Sequence, residues 1–260
     1  MKKYLFVLST LVLFAFSSCQ KFAGDPVTKD FSVAGSYTEL KVESAFDVTV
    51  SDVATQITVT AGENIMPKVV VEIVDNTLKI YCNRLTIPVG EMKVTIPYNA
   101  NLTSVDLTGA SEFHSEYGLY GEKVEVDLSG ASECYCDIEA KEIDMNLSGA
   151  SYVEGTIDAS DLDLEMSGAS NATLKGQVTT LDLDLSGTSS IKKTITGSSY
   201  GFECDYCNGK LSGASDAYIH CNLIIKVNLS GASDLHFTGN GNPADSNTSG
   251  GSEIIHDVLP

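Results

Sequence analysis

A five-residue motif occurs eight times between residues 107 and 252 of this 260-residue chain. It reads Leu107-Thr-Gly-Ala-Ser111, Leu128-Ser-Gly-Ala-Ser132, Leu147-Ser-Gly-Ala-Ser151 and Met166-Ser-Gly-Ala-Ser170. It continues as Leu185-Ser-Gly-Thr-Ser189, Leu211-Ser-Gly-Ala-Ser215, Leu229-Ser-Gly-Ala-Ser233 and a degenerate Thr248-Ser-Gly-Gly-Ser252. The spacings are 21, 19, 19, 19, 26, 18 and 19 residues. A fixed period of this size means a repeat architecture, and it constrains the fold before any local reading begins.

The residues ahead of each motif alternate. Ile143, Met145 and Leu147 are separated by Asp144 and Asn146; Leu162, Leu164 and Met166 are separated by Asp163 and Glu165. A period of two with one apolar face is a half-buried strand. The Gly in each motif marks a corner that needs positive φ or close backbone approach. A second apolar column follows six residues after each leading position: Phe113, Cys134, Val153, Ala172, Ile191, Ala217, Leu235 and Ile254. Strand, corner, short strand and return every 19 or so residues describe one coil of a parallel β-helix. With about 4.8 Å per coil, eight coils make a rod roughly 35–40 Å long. The last Ser of every motif is expected to satisfy corner backbone groups by hydrogen bonds along the stack. A catalytic serine row is the alternative, and no His base recurs at matching phase.

The expected fold class is therefore all-β: a parallel β-helix (β-solenoid) of about eight coils with an irregular β-rich N-terminal cap. Residues 107–260 form the repeat. Residues 31–106 form the N-terminal β-rich part, with short strands over Glu39–Val42, Phe46–Val50, Gln56–Thr60, Lys68–Val74, Thr77–Tyr81 and Met92–Ile96. Asp75-Asn76 reads as a tight hairpin turn. Residues 19–30 read as a linker, and residues 1–18 as a lipoprotein signal peptide. In that peptide a basic start, Lys2-Lys3, precedes an apolar run from Tyr4 to Phe16, then Ser17, Ser18 and Cys19. A Cys after two small residues resembles a lipobox, with Phe16 where Leu is usual, so Cys19 is the expected lipidation site. A plain signal peptide with an incidental Cys is the alternative. The expected address is the cell envelope, as a lipoprotein anchored in the outer membrane on its periplasmic or surface side. The residues after Cys19, Gln20 to Asp25, are nearly neutral.

Composition narrows the partners. The chain has 35 Asp and Glu against 16 Lys and Arg, a formal charge of −19. Loss of residues 1–18 removes Lys2 and Lys3 and no acid, giving −21. Nucleic acid is excluded as a partner, because phosphate binding needs clustered cations.

Tyr37-Thr-Glu-Leu-Lys-Val-Glu-Ser-Ala-Phe-Asp-Val-Thr-Val50, the later Asn76-Thr-Leu-Lys-Ile80, and the Ser-Gly-Ala-Ser coils ending in Gly250-Gly-Ser-Glu253 together resemble a known family. This is the auto-transporter adhesin head GIN domain family (DUF2807), common in Bacteroidetes lipoproteins. The resemblance spans about Phe31 to Asp257. It implies a β-helical extracytoplasmic domain and carries no catalytic residues.

The functional expectation is a noncatalytic envelope module, adhesin-like or structural, for a glycan or protein partner. It has no cofactor and no metal site, and a homo-oligomer stays open. The alternative is a polysaccharide-active β-helix enzyme, lyase or hydrolase. A lyase needs a cationic base, and the single Arg of the chain, Arg84, lies outside the repeat. Paired carboxylates occur all along an acidic wall, so they select no hydrolase site. That wall, Asp106, Glu125/Asp127, Asp144/Asn146, Asp163/Glu165 and Asp182/Asp184, is expected to face outward, either to collect cations or as a solvated face. The 26-residue coil carries Tyr200, Phe202 and Tyr206, either as an exposed binding loop or as a bulge packed on the coils. Six Cys remain beyond Cys19: Cys82, Cys134, Cys136, Cys204, Cys207 and Cys221. They read as buried thiols or local disulfides. His114, His220, His236 and His256 lack metal-ligand spacing and read as surface residues.

Overall fold

The computed structural model describes residues 23–83 and 90–260. Residues 1–18, read above as a signal peptide, Cys19 and Arg84 lie outside the described residues. Within them, all strands but the small hairpin Ile195–Thr196/Ser199–Tyr200 join one continuous sheet system. The all-β solenoid is what the repeat predicts.

Each regular coil is one long strand between two motifs: Glu133–Leu147, Tyr152–Met166 and Asn171–Leu185. Neighbouring coils pair in parallel at the repeat offset, Leu147 on Met166 and Met166 on Leu185. The expected separate return is absent. The strand bends instead, and the burial parity records where. In the coil 133–147 the inward residues are Cys134, Cys136 and Ile138, then Ile143, Met145 and Leu147. The inward phase changes from even to odd numbers between 138 and 143, so the backbone turns there without leaving the ladder. The second apolar column is continuous through the stack, from Phe113 to Ile254.

The motif corner explains its own composition. Gly149 has φ +79°, and a Cβ there would lie 2.5 Å from the carbonyl oxygen of Gly130 in the coil below. Backbone N–H groups bridge the coils from the second, fourth and following positions: Ser167 to Leu147 O, Ala169 to Gly149 O and Asn171 to Ser151 O. The carbonyl of the second motif residue is left out of that ladder. The Ser at the fifth position meets it, Ser170 Oγ donating to Ser167 O at 2.9 Å, and its equivalents in all eight copies do the same. The hydroxyls thus do not link to one another along the stack. Each closes its own corner, and some reach down as well, as Ser132 Oγ does to Leu107 O at 3.2 Å. A buried hydroxyl spent on a carbonyl is structural, which disposes of the serine-row alternative.

The N-terminal part joins the same ladder out of chain order. The strands Glu39–Val42 and Asp47–Ser51 pair in parallel with Ser104–Leu107 and Glu112–Leu128 on one side. On the other side they pair with Thr77–Cys82 and Lys93–Pro97. The coil that comes first in sequence is therefore sandwiched between the two that follow. The pairings cross residues 106 and 107 without a break. Antiparallel strands then close the end: Val69–Val74 on Thr77–Cys82, and Ile57–Gly62 on Lys93–Pro97. Asp75 and Asn76 take φ of 51° and 66° between the first pair, the backbone of a tight hairpin. Pro26–Phe31 pairs with Ile57–Gly62, so most of this strand falls in the stretch read as a linker. An edge strand that opens on Pro and carries Lys29 and Asp30 resists further pairing.

Candidate functional site

A groove of about 680 Å³ crosses five successive coils where the long strands bend. Its floor is the column Gly121, Ala140, Ala159 and Val178, paired rung on rung. Small side chains at the bend leave the space. One wall is the next column, Tyr120, Glu139, Asp158, Gln177 and Glu203. The facing wall carries Glu122, Lys141, Ser160, Thr179 and Asp205. At the far end Asn222 Nδ2 donates to Glu203 at 2.8 Å and to Asp205 at 3.2 Å, bracing those two acids. Tyr120 is 48 % exposed at the other end; back at the Asn222 end Tyr206 and Ile224, paired rung to rung, are also exposed, as is Leu223. The groove therefore offers carboxylates, amides and hydroxyls along its length and an aromatic face at its mouth, a pattern that suits a chain-like polar ligand.

A second cavity of about 610 Å³ lies in the cap and is more apolar, with Phe31, Val33, Tyr37, Ile73 and Tyr98 in its lining. Asn99 Nδ2 donates to the Tyr37 carbonyl at 2.7 Å, tying the two sides of that cavity together. Burial pushes the Tyr37 phenol above its ordinary range, against a smaller opposing effect of Asn99.

The acidic wall is present but broken up. One outward column runs Lys41, Asp106, Asp127, Asn146, Glu165, Asp184, Lys210. Lys41 pairs with Asp106, Asn146 Nδ2 donates to Asp127 at 2.8 Å, and Lys210 meets Asp184 at 3.0 Å. Lys123 reaches Glu142 at 3.2 Å and Asp144 at 2.5 Å, and these contacts raise its own pKa. What stays uncompensated is the centre. Asp163 is pushed up by burial and then by Glu165, Asp144, Asp182 and Asp184.

The 26-residue coil packs most of its aromatics on the stack, while its hairpin tip, residues 195–198, stays exposed. Its extra residues form the hairpin Ile195–Thr196/Ser199–Tyr200, and Tyr200, Phe202, Cys204 and Cys207 are buried. Tyr200 donates to Asp257, and His236 Nδ1 lies 2.9 Å from the same carboxylate. Tyr218 stacks on His236 at 4.6 Å and meets Tyr200 edge-on at 5.6 Å. Burial alone would raise the Asp257 carboxyl; the hydrogen bonds from Tyr200 and His236 outweigh it and hold it below the usual carboxylate range. This cluster latches the excursion to the C-terminal segment. Tyr206 alone of the aromatics in that excursion stays exposed, at 39 %.

All six described Cys are buried and free. Burial raises the Cys82 thiol to about 11. A neighbouring thiol, then burial, raises those of Cys136 and Cys221. Cys204 and Cys207 are both buried among core side chains, so Cys204-x-x-Cys207 is core packing. The His residues divide. His220 and His236 hold local hydrogen bonds and His256 stacks on Phe237. His114 instead joins Asp47 and Glu112, with one donor atom of each within 4.8 Å of the others. Spacing in sequence hides that grouping. Aligning Val48 with Phe113 in the second apolar column would have revealed it, since Asp47 and Glu112 each precede that column by one residue.

Among the described residues no helix is long and apolar enough to cross a membrane. Curated proteins yield no match. Several solved structures share the fold. One from Parabacteroides merdae, described as a putative adhesin, superposes with a TM-score of 0.77 at 19 % identity, covering 90 % of this chain and 97 % of that one. One from Parabacteroides distasonis, described as a putative lipid binding protein, gives 0.76 at 18 % identity with the same coverage. A Bacteroides fragilis structure described as a putative adhesin gives 0.60 at 17 % identity, covering 89 % of this chain and 95 % of that one. The model of the DUF2807 family, "Putative auto-transporter adhesin, head GIN domain", matches residues 36–241, and with the solenoid and its capped end in place the chain belongs to that family.

Proposed function

We propose that this chain is a noncatalytic binding module of the cell envelope whose lengthwise groove takes an extended glycan. The observation that carries the reading is the groove itself: small residues on the floor, polar columns on both walls and Tyr120 at the mouth. Glu122, Glu139, Asp158, Glu203 and Asp205 face it against Lys141 alone, so the charge favours neutral or amino sugars over polyanionic chains. A polyanion-cleaving lyase would need the opposite charge. Acylation at Cys19 would hold the module on the outer membrane, on its periplasmic or surface side.

A glycan array probed with the full chain tests the groove, with reducing-sugar release measured on the same panel. Binding to neutral or amino glycans, lost in Tyr120→Ala and in the groove-filling Ala159→Arg, is the expected result. Sugar release above a buffer blank, abolished by one carboxylate substitution, would replace the module with a hydrolase. Binding that ignores both substitutions would move the partner elsewhere, with a protein ligand as the next candidate. Cys19→Ala is expected to free the chain from membranes, and protease shaving of intact cells reads which side it faces. The apolar cap cavity supports a second reading, an aliphatic chain as ligand, and one structure of this fold is described as lipid binding. Fatty-acid titration against Ile73→Arg tests it separately.

A further inference from the structure

The junction between cap and repeat holds three side chains that the groove does not use. Asp47 begins the strand Asp47–Ser51, and Glu112 begins Glu112–Leu128 directly opposite it in the ladder. His114 follows two residues later, on the same outward face as Glu112, with the fully buried Phe113 between them. His114 Nε2 lies 3.2 Å from Glu112 Oε2 and 3.9 Å from Asp47 Oδ1. Asp47 Oδ1 has less than 1 Å² of accessible surface and no hydrogen-bond donor. The Asp47 side chain as a whole is 38 % exposed, so this one oxygen is the part shut off from water without a donor, and a cation beside it would supply the missing partner. The nearest Lys in register, Lys93, turns instead to Glu91 at 2.6 Å. The imidazole is held in place by stacking on Tyr135, centroids 4.6 Å apart and planes 6° from parallel. Tyr135 is anchored in turn by its hydrogen bond to Glu133.

We propose that Asp47, Glu112 and His114 bind one divalent transition-metal ion of the zinc class. Imidazole with two carboxylates suits zinc and its neighbours, whereas calcium and magnesium take all-oxygen sets. Metal–ligand bonds near 2.0–2.2 Å put tetrahedral donors roughly 3.3 Å apart. The 3.2 Å separation already meets that, and the 3.9 Å one needs a small side-chain adjustment. Three protein donors leave a fourth position to solvent. The ion would clip the out-of-order cap coil to the first repeat coil, and an ion that binds the folded chain alone raises its melting temperature by mass action.

The test is Zn²⁺ titrated into the chelator-stripped full chain, made without a polyhistidine tag, read by calorimetry and by melting temperature. The expected result is a one-to-one site and a raised melting temperature, both lost in Asp47→Asn and His114→Ala. Glu112→Gln is expected to weaken binding more than tenfold, and Lys93→Ala, which keeps all three donors, to retain it. Co²⁺ in place of Zn²⁺ should give visible d–d absorption that disappears in His114→Ala. If a variant melts too low to compare, the absorption of the Lys93→Ala and Glu112→Gln chains still decides. Zinc binding unchanged in His114→Ala, or an equal response to Ca²⁺, would overturn the proposal and leave His114 as a side chain hydrogen-bonded to Glu112.

Discussion

The repeat coils and the cap are built from the same rungs but obey different rules of order. Beyond the coil of residues 104–113 each coil lies on the one before it in sequence. In the cap the coil of residues 39–51 lies between the coils of 77–97 and 104–113. The ladder rewards register and burial and is indifferent to which coil the chain delivers first. Where the motif recurs, sequence neighbours are also the best-matched rungs. Where it does not, the best-matched rung can come from elsewhere. A practical gain accompanies the swap. The end of the rod is closed by antiparallel strands, which a bare terminal coil lacks.

That comparison is open to attack. The largest expected effect comes from the sandwiched cap coil. Phe46 is fully buried there, and Phe46→Ala should cost about 3–5 kcal/mol. Because the sheet is continuous, the cost should appear in the repeat too. Hydrogen exchange that opens 39–97 while leaving 133–185 protected would separate the two regions. Next is the corner glycine. Gly149→Ala combines positive φ with a backbone oxygen 2.5 Å from the new Cβ and should cost about 3 kcal/mol or more, read by chemical denaturation. Gly197→Ala, also at positive φ but with nothing within 4 Å, should cost only about 1 kcal/mol. Equal losses would mean that the stacked corners are looser than they look. Ser170→Ala strips the donor from the Ser167 carbonyl and should cost about 1–2 kcal/mol in the same assay.

The smallest effects are electrostatic, and two acids carry opposite signs. Asp257 sits below its ordinary range, so the latch of the long coil is fully stabilising above that range and fades as pH falls through the lowered value. Asp257→Asn should flatten that acid limb of the stability curve. Asp163 sits above its ordinary range, so the folded chain holds its proton longer and loses stability as pH rises through that window. Asp163→Asn should gain up to about 0.5 kcal/mol at neutral pH, with a smaller salt dependence of the melting temperature. A melting temperature indifferent to salt in the parent chain would mean that Lys123 and Lys210 already neutralise the wall.

The comparison also marks how far residues alone could be read. The Leu column, the second apolar column and the Asp75-Asn76 hairpin were legible because each depends on a local period or on backbone propensity. The role of the corner Ser was half legible. That it caps something followed from its recurrence, but that its target is the carbonyl three residues back required the ladder to be seen. The aromatics of the long coil were ambiguous, since Tyr200 meets Tyr218 and Asp257, both far along the chain.

By itself the sequence determined the architecture: a fixed period, alternation in phase with it and a glycine at each corner admit one way to stack. It also determined the charge that keeps polyanions away. Tertiary structure alone decided which coils touch in the cap, where the small-residue bends line up as a groove, and that Asp47 meets Glu112 and His114. Those are contacts between residues far apart in the chain with no shared motif, and they are chosen by register and burial across the stack, which no local pattern encodes.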